Sequence, residues 1–373
     1  MGLIRLILAL CVVLSHLPCR FKMVGGPFAV EAFYIISGFY MSLILSDKYL
    51  LKPLKLFYSN RLLKLFPIYL TVLISTILIS VAYGTITNDY RIGNLNLFFE
   101  YFSSLNLTAK LYIVFVNLFL IIQDTAMFMG IDWGNTNSLI FSSNFAKTSS
   151  PHLYEFLLLP QAWSIGVEIT FYLIAPILVR KLKIISLVGL AFSSLSLKYL
   201  LFSKFGLNHD PWTYRFFPTE LGFFILGILS YRIYKSDLFS RTYLKVDSDF
   251  LKYSLLIFIL SFQFIALGLN MITKFGHEES RLIVSIVFFA LIFLLIPFLF
   301  ESTKINKFDN RISLLSYPVY ISHILILEFC SKFMTNNYLT FTTLVITIGV
   351  SYFLEKVIQS RVDSFRQKRI AKW

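Results

Sequence analysis

LIVSIVFFALIFLLIPFLF, residues 282–300, is a run of nineteen residues without a single charge. As a helix rising 1.5 Å per residue it is about 28 Å long, the thickness of the hydrocarbon core of a bilayer. Working outward from it, apolar segments recur near 4–19, 28–46, 62–84, 95–130, 162–179, 184–202, 216–233, 253–270, 314–333 and 338–357. Of the 373 residues 57% are hydrophobic and only 14% charged, and the mean hydropathy is +0.73. A soluble domain carries about a quarter charged residues, so a water-soluble fold could not cover this much apolar surface. The chain therefore reads as an all-α integral membrane protein, one unit over residues 1–373, with the bilayer as its partner. No soluble domain, repeat or low-complexity stretch interrupts it.

The net charge of +14 is distributed in a way that excludes nucleic acid as its reason. Connections at residues 48–64, 180–183, 232–252, 304–311 and 356–372 hold 22 lysines and arginines, Lys245 among them. The alternate connections, with Arg20, Lys22, Arg91 and Lys274 among their cations, hold 8. Cytoplasmic loops are the basic ones, which places both termini in the cytoplasm. Both flanks of 95–130 must then lie outside, so that region crosses twice or not at all. The expectation is a bundle of about ten transmembrane helices, with twelve possible and eleven excluded by parity. The polar stretch 132–152 reads as an outer loop or cap.

Cys11, Cys19 and Cys330 form neither a disulfide framework nor a metal spacing, and no metal is expected. Residues 1–17 could pass for a signal peptide, but Ser15-His16-Leu17-Pro18-Cys19 is no cleavage site, so a retained first helix is predicted.

Ionisable groups inside spans cost several kcal/mol unless they serve a purpose. His16 lies eleven residues after Arg5, roughly 16 Å along the first helix and near the midplane if Arg5 marks the inner interface. Glu168 stands at similar depth from Arg180, and His323 from Arg311; Glu31 is somewhat higher. These four imply a buried polar chamber, entered from the cytoplasm past Arg5, Arg61 and Lys64. Each has a bland reading as well. His323 could be a packing histidine, Arg5 an interfacial anchor, and Arg61 and Lys64 a solvated basic run. Glu168, between Ile165-Gly166-Val167 and Ile169-Thr170-Phe171, is the hardest to dismiss, because a carboxylate among apolar turns needs a partner.

Five segments together carry a resemblance. They are Arg5 with His16; Gly25-Gly26-Pro27-Phe28-Ala29-Val30-Glu31 running on to Ser37-Gly38-Phe39; Arg61-Leu62-Leu63-Lys64 before Pro67-Ile68-Tyr69; Trp163-Ser164-Ile165-Gly166-Val167-Glu168 running on to Phe171-Tyr172; and Ser316-Tyr317-Pro318-Val319-Tyr320 running on to His323. In this order they resemble the family 3 membrane acyltransferases, which O-acylate surface polysaccharides, peptidoglycan and some secondary metabolites. Two departures stand out. Asn60 and Lys64 hold places where the family often has paired arginines, and Glu31 stands where aspartate is usual. Some relatives append an esterase-like domain after the last span; none is expected here, because the sequence runs only to Trp373.

The resemblance implies an O-acyltransferase of the bacterial inner membrane that uses acetyl-CoA, or another acyl-CoA, as a donor and binds no cofactor permanently. The acceptor implied is a hydroxyl of a cell-surface glycan, such as lipopolysaccharide O-antigen, or of a lipid-linked oligosaccharide precursor. Arg5, Arg61 and Lys64 would hold the donor phosphates. His16 would be general base or acyl carrier, oriented by Glu31 or Glu168 as in a catalytic triad. Ser37, Trp163, Tyr320 and His323 are further candidates as members of the matching motifs. A polytopic transporter or glycan flippase would also carry buried polar groups and basic inner loops, but has no reason to combine the Arg5/His16 pair with both carboxylate motifs. A glycosyltransferase or polymerase should show an acidic motif in an outer loop, where Asp124 and Asp132 stand isolated.

Reporter fusions at residues 2 and 373 test the orientation: both should read out in the cytoplasm, and a periplasmic signal at either end would reverse the donor side.

Overall fold

The computed structural model describes residues 1–243, 247–273 and 277–373; Lys245 and Lys274 lie outside the described residues. The chain begins with α1 (Gly2–His16), α2 (Gly26–Leu43) with a π-helical turn at Ile44–Lys48, and α3 (Leu54–Thr87). A cap follows, containing α4 (Leu95–Glu100), α5 (Leu107–Phe119) and an antiparallel pair, β1 (Met129–Ile131) and β2 (Leu139–Phe141), with Gly130 opposite Ile140. The remaining helices are α6 (Trp163–Lys181), α7 (Ile184–Ser203), α8 (Phe217–Tyr234), α9 (Asp237–Tyr243), α10 (Ser248–Thr273), α11 (His277–Thr303), α12 (Lys307–Ser331), α13 (Asn336–Leu354) and α14 (Ser360–Ala371).

Eight helical stretches among the described residues are long and apolar enough to cross a membrane: α2, α3, α6, α7, α10, α11, α12 and the run from α13 into α14. The protein is a multi-pass, all-α membrane protein. Two further helices pack inside the bundle, α1 against α12 and α2, and α8 against α2 and α7. The first has only 15 residues, and the second carries Glu220 and Arg232. Within 95–130 the longest helix is α5, with 13 residues.

The basic connections gather at one end, held to each other by hydrogen bonds to backbone carbonyls. Arg180 Nη2 donates to Tyr49 O at 2.6 Å, and Arg232 Nη2 donates to Val179 O at 2.7 Å. Here too the Asp309 carboxylate of α12 accepts from the amides of Gly2 at 2.6 Å and Leu3 at 3.0 Å. It thereby caps the first turn of α1, whose amides have no partner within their own helix. This is the termini end of the bundle. At the far end, Asp89 after α3 bonds Arg91 and Lys332. These two cations hold its carboxyl well below the usual carboxylate range.

A pair of glycines makes a close helix crossing. A Cβ on Gly38 of α2 would sit 1.9 Å from Phe224 O, and one on Gly227 of α8 would sit 1.9 Å from Ile35 O. The backbones touch because neither helix has a side chain there, the usual way membrane helices gain packing without a hydrophobic driving force. Around this contact Ile35, Phe39, Phe171 and Phe224 are fully buried, and the Phe171 and Phe224 rings stack at 4.1 Å. Because Ser37 is the neighbour of Gly38, the crossing also sets where Ser37 stands.

Gly227→Ala should separate α2 from α8 and cost about 1–3 kcal/mol, the usual penalty for overpacking a core. Gly189→Ala in α7, where a new Cβ meets nothing within 4 Å, should not lower stability. Thermal unfolding of the purified variants checks the pair; equal melting temperatures would refute the crossing.

Candidate active site

A cavity of about 520 Å³ opens among α1, α2, α3, α6, α12 and α14. Arg5, Lys48, Arg61, Lys64, Arg311 and Arg366 line it, and among the described residues Glu168 is its one lining carboxylate. The α3 residues Arg61 and Lys64 are neighbours across one helical turn, which turns both toward the same space. Arg5, one turn into α1, donates from Nη1 to Ser313 Oγ at 3.0 Å and stands 5.6 Å from the centre of the Tyr40 ring. Among the described residues no hydrogen bond reaches the side chain of Arg61 or Lys64. The Nε atoms of Arg5, Arg61 and Arg366 are all buried without a partner. Guanidinium groups have donors and no acceptor capacity, so each of these three N–H groups calls for an acceptor, and an anion would give the strongest bond.

Glu168 forms the inner polar wall. Its Oε1 accepts from Ser37 Oγ and from Tyr172 OH, the latter at 2.6 Å. Tyr172 follows Glu168 by four residues and so shares its helix face. Tyr320 of α12 completes the wall: its hydroxyl donates to Gln161 O at 2.8 Å and meets Ser164 Oγ at 2.6 Å. Because the phenolic hydrogen goes to the carbonyl, Ser164 is the donor in the second contact.

Tyr320 also leads to the histidines. His323 Nδ1 bonds Tyr320 O at 2.6 Å, and its Nε2 lies 3.3 Å from His16 Nδ1. His16 Nδ1 bonds Val12 O at 2.9 Å. Carbonyl oxygens only accept, so both Nδ1 atoms carry the hydrogen in the neutral rings. His323 Nε2 is then an acceptor toward His16, and His16 Nε2 keeps its lone pair. Among the described residues nothing bonds that Nε2.

This arrangement corrects the expected triad. Neither carboxylate orients His16; the Val12 carbonyl and His323 do. Glu31 is turned away, bound by Lys198, which also reaches Glu220 at 2.9 Å between α2, α7 and α8. Spacing along α2 gives the depth of Glu31 but not the side of the helix it occupies. His16 is the last residue of α1 and is exposed, whereas His323 is 1% exposed. The helix stops because Pro18 forces Leu17 into extended backbone, observed at φ −87° and ψ 155°.

Trp163, at the start of α6, is covered by Arg215, whose guanidinium carbon lies 4.2 Å from the ring centre. Asp210 holds Arg215 through Nε at 2.5 Å and Nη2 at 2.7 Å. Sequence reasoning missed Arg215, Tyr172, Lys198, Glu220 and Arg366. Tyr172 had a signal in its spacing from Glu168; Arg366 had none beyond its place in a basic run.

Comparison with known proteins gives the family of the chain. A protein of Aquifex aeolicus (strain VF5), described only as uncharacterized, is 28% identical over 219 residues, which is 56% of this chain and 89% of its own length. No solved structure matches. A family model described as an acyltransferase domain matches residues 1–356, and so takes in every residue of the cavity wall except those of α14. The activity it indicates is acyl transfer in a membrane, in place of the transport or polymerisation that the polar interior alone would also have allowed. The chain belongs to the family 3 acyltransferases.

Proposed function

We propose that the protein transfers an acyl group, most simply acetyl, from acyl-CoA at the termini end to a hydroxyl of a cell-surface glycan or its lipid-linked precursor at the far end. The reading puts the termini end in the cytoplasm of a bacterium and the protein in its inner membrane. It counts ten crossings: α1, α2, α3, α6, α7, α8, α10, α11, α12 and α13.

The observation that carries it is the charge of the cavity, six cations against Glu168 with three orphaned guanidinium N–H groups. Such a site is incomplete without a polyanion. Coenzyme A bears its phosphates at one end and a thin, neutral pantetheine arm at the other. With the phosphates on Arg5, Arg61 and Lys64, the arm can pass Ser37 and Glu168 toward Tyr320 and the histidines behind it.

In direct transfer, His16 Nε2 removes the proton of the acceptor hydroxyl as that oxygen bonds the thioester carbonyl carbon. The carbon–sulfur bond then breaks, and the thiolate leaves with the proton that His16 had taken. Val12 O holds Nδ1–H throughout, and His323 Nε2 offers the imidazolium a second acceptor. In a relay the same Nε2 would first carry the acyl group. Both routes require that nitrogen and fail without it.

His16→Ala and His16→Gln should each lower acylation by about 10²-fold or more while the protein stays in the membrane. The readout is mass spectrometry of the glycan. A His16→Gln variant that acylates at near wild-type level would make His16 structural and move the chemistry to His323.

Arg61→Ala should raise the apparent KM for acyl-CoA by about tenfold and leave kcat near its starting value, since it removes a contact made equally before and during reaction. Unchanged donor dependence at equal protein level would reduce Arg61 to an interfacial anchor.

A further inference from the structure

We infer that the C-terminal helix α14 supplies part of the donor site, and that Arg366 reads the 3′-phosphate monoester of coenzyme A. The inference rests on the donor reading above and adds to it a residue outside the stretch, 1–356, that matches the family.

The helix is docked against the termini end of α3. Arg369 donates to Asn60 Oδ1 at 2.9 Å and to Ser59 Oγ at 2.8 Å. Lys52 Nζ donates to Ile370 O at 2.5 Å, and Lys48 Nζ to Gln367 Oε1 at 2.5 Å. Four hydrogen bonds from one face fix the rotation of a twelve-residue helix. The face that results presents Arg366, Gln367 and Ile370 to the cavity.

Arg366 is a built feature of that wall rather than a solvated surface arginine. Its side chain is 8% exposed, and Nη1 is held by Asp363 one turn earlier. That contact leaves the Nε–Nη2 edge, two parallel donors in the geometry that fits two oxygens of one phosphate. Among the described residues Nε has no partner and is buried, as is Nε of Arg61 across the cavity. A surface arginine would have turned this edge to water.

The order of groups along coenzyme A assigns the phosphate. A donor that enters acyl end first leaves its adenosine nearest the rim. Of its phosphates, the pyrophosphate joins the arm to the adenosine and the monoester hangs on the ribose. Arg61 and Lys64 lie on α3 beyond the turn at Ser59 and Asn60 where α14 docks, so they face the pyrophosphate. Arg366, entering from α14 beside Lys48, is left for the monoester. A monoester carries more charge than a diester oxygen pair and gives a guanidinium fork its strongest partner.

The test is equilibrium binding of coenzyme A and of 3′-dephospho-coenzyme A to the full-length protein in lipid nanodiscs. The wild type should prefer coenzyme A by at least about tenfold, one charge-assisted fork. In Arg366→Ala and Arg366→Gln that ratio should collapse to about one, through loss of coenzyme A affinity alone, and Arg366→Lys should restore only part of it. Equal wild-type affinity for both ligands would overturn the assignment without any variant being made. A variant that keeps the preference overturns it too. A variant that loses both ligands equally also does so, since Arg366 would then serve only to seat the helix. A wild type that binds neither ligand fails differently: it refutes the acyl-CoA reading itself.

Discussion

The structure is organised around positive charge that it neutralises only in part. Six cations face one cavity with Glu168 as the lining carboxylate, and like charges brought together away from water repel more strongly than they would in it. No fold gathers them without support from elsewhere. Asp309 caps α1 and so fixes the turn that carries Arg5. Ser313 holds the Arg5 guanidinium, and Asp363 holds that of Arg366. Among the described residues Arg61 and Lys64 have no such holder, and their place is set by the rigidity of α3. The repulsion is thus carried by helix packing, and an arriving polyanion would relieve it. That difference in free energy between the empty and the filled cavity is a source of affinity requiring no hydrogen bond beyond those drawn to the phosphates.

Much of this was legible in the sequence, and the limits of that reading have a common cause. Hydropathy and basic-residue asymmetry place segments and their ends, and they do so through single-residue transfer energies that need no partner. Depth along a helix is equally local, which is why Glu168 could be assigned to a chamber entered past Arg5, Arg61 and Lys64. Azimuth is not local. Glu31 lies on the face of α2 that meets Lys198 and Glu220, and only the packing of α2 on α8 through Gly38 and Gly227 decides that. Counting residues gives His16 a depth along α1 but does not show that the helix ends there, before Leu17 and Pro18, and leaves the ring exposed.

The C-terminal basic run shows how one signal can hide another. Lys356 to Lys372 satisfies the positive-inside bias completely, so nothing in its composition asks for a second explanation. Yet its members are used differently. Arg369 is an anchor, bonded to Asn60 and Ser59, while Arg366 faces the cavity with an unsatisfied edge. The substitution at Asn60 gains a meaning from this. In place of a second α3 arginine it gives an amide oxygen that holds α14, and α14 returns a guanidinium to the same cavity.

Tyr320 connects the two halves of the site. Its hydroxyl is tied to Gln161 and Ser164 at the start of α6, its ring lines the cavity, and its carbonyl fixes the tautomer of His323. His323 in turn presents only a lone pair to His16. The proton placement on His16 therefore depends on backbone carbonyls of α1 and α12, not on an acidic side chain. A carboxylate beside His16 would stabilise the imidazolium more strongly, but it would also attract protons to the ring and keep Nε2 protonated. Neutral carbonyls orient the ring without that cost, which would suit a base that is to be unprotonated when an acceptor arrives. On the proposed reading, the charged groups of the site would bind the donor and the neutral ones would carry the reaction.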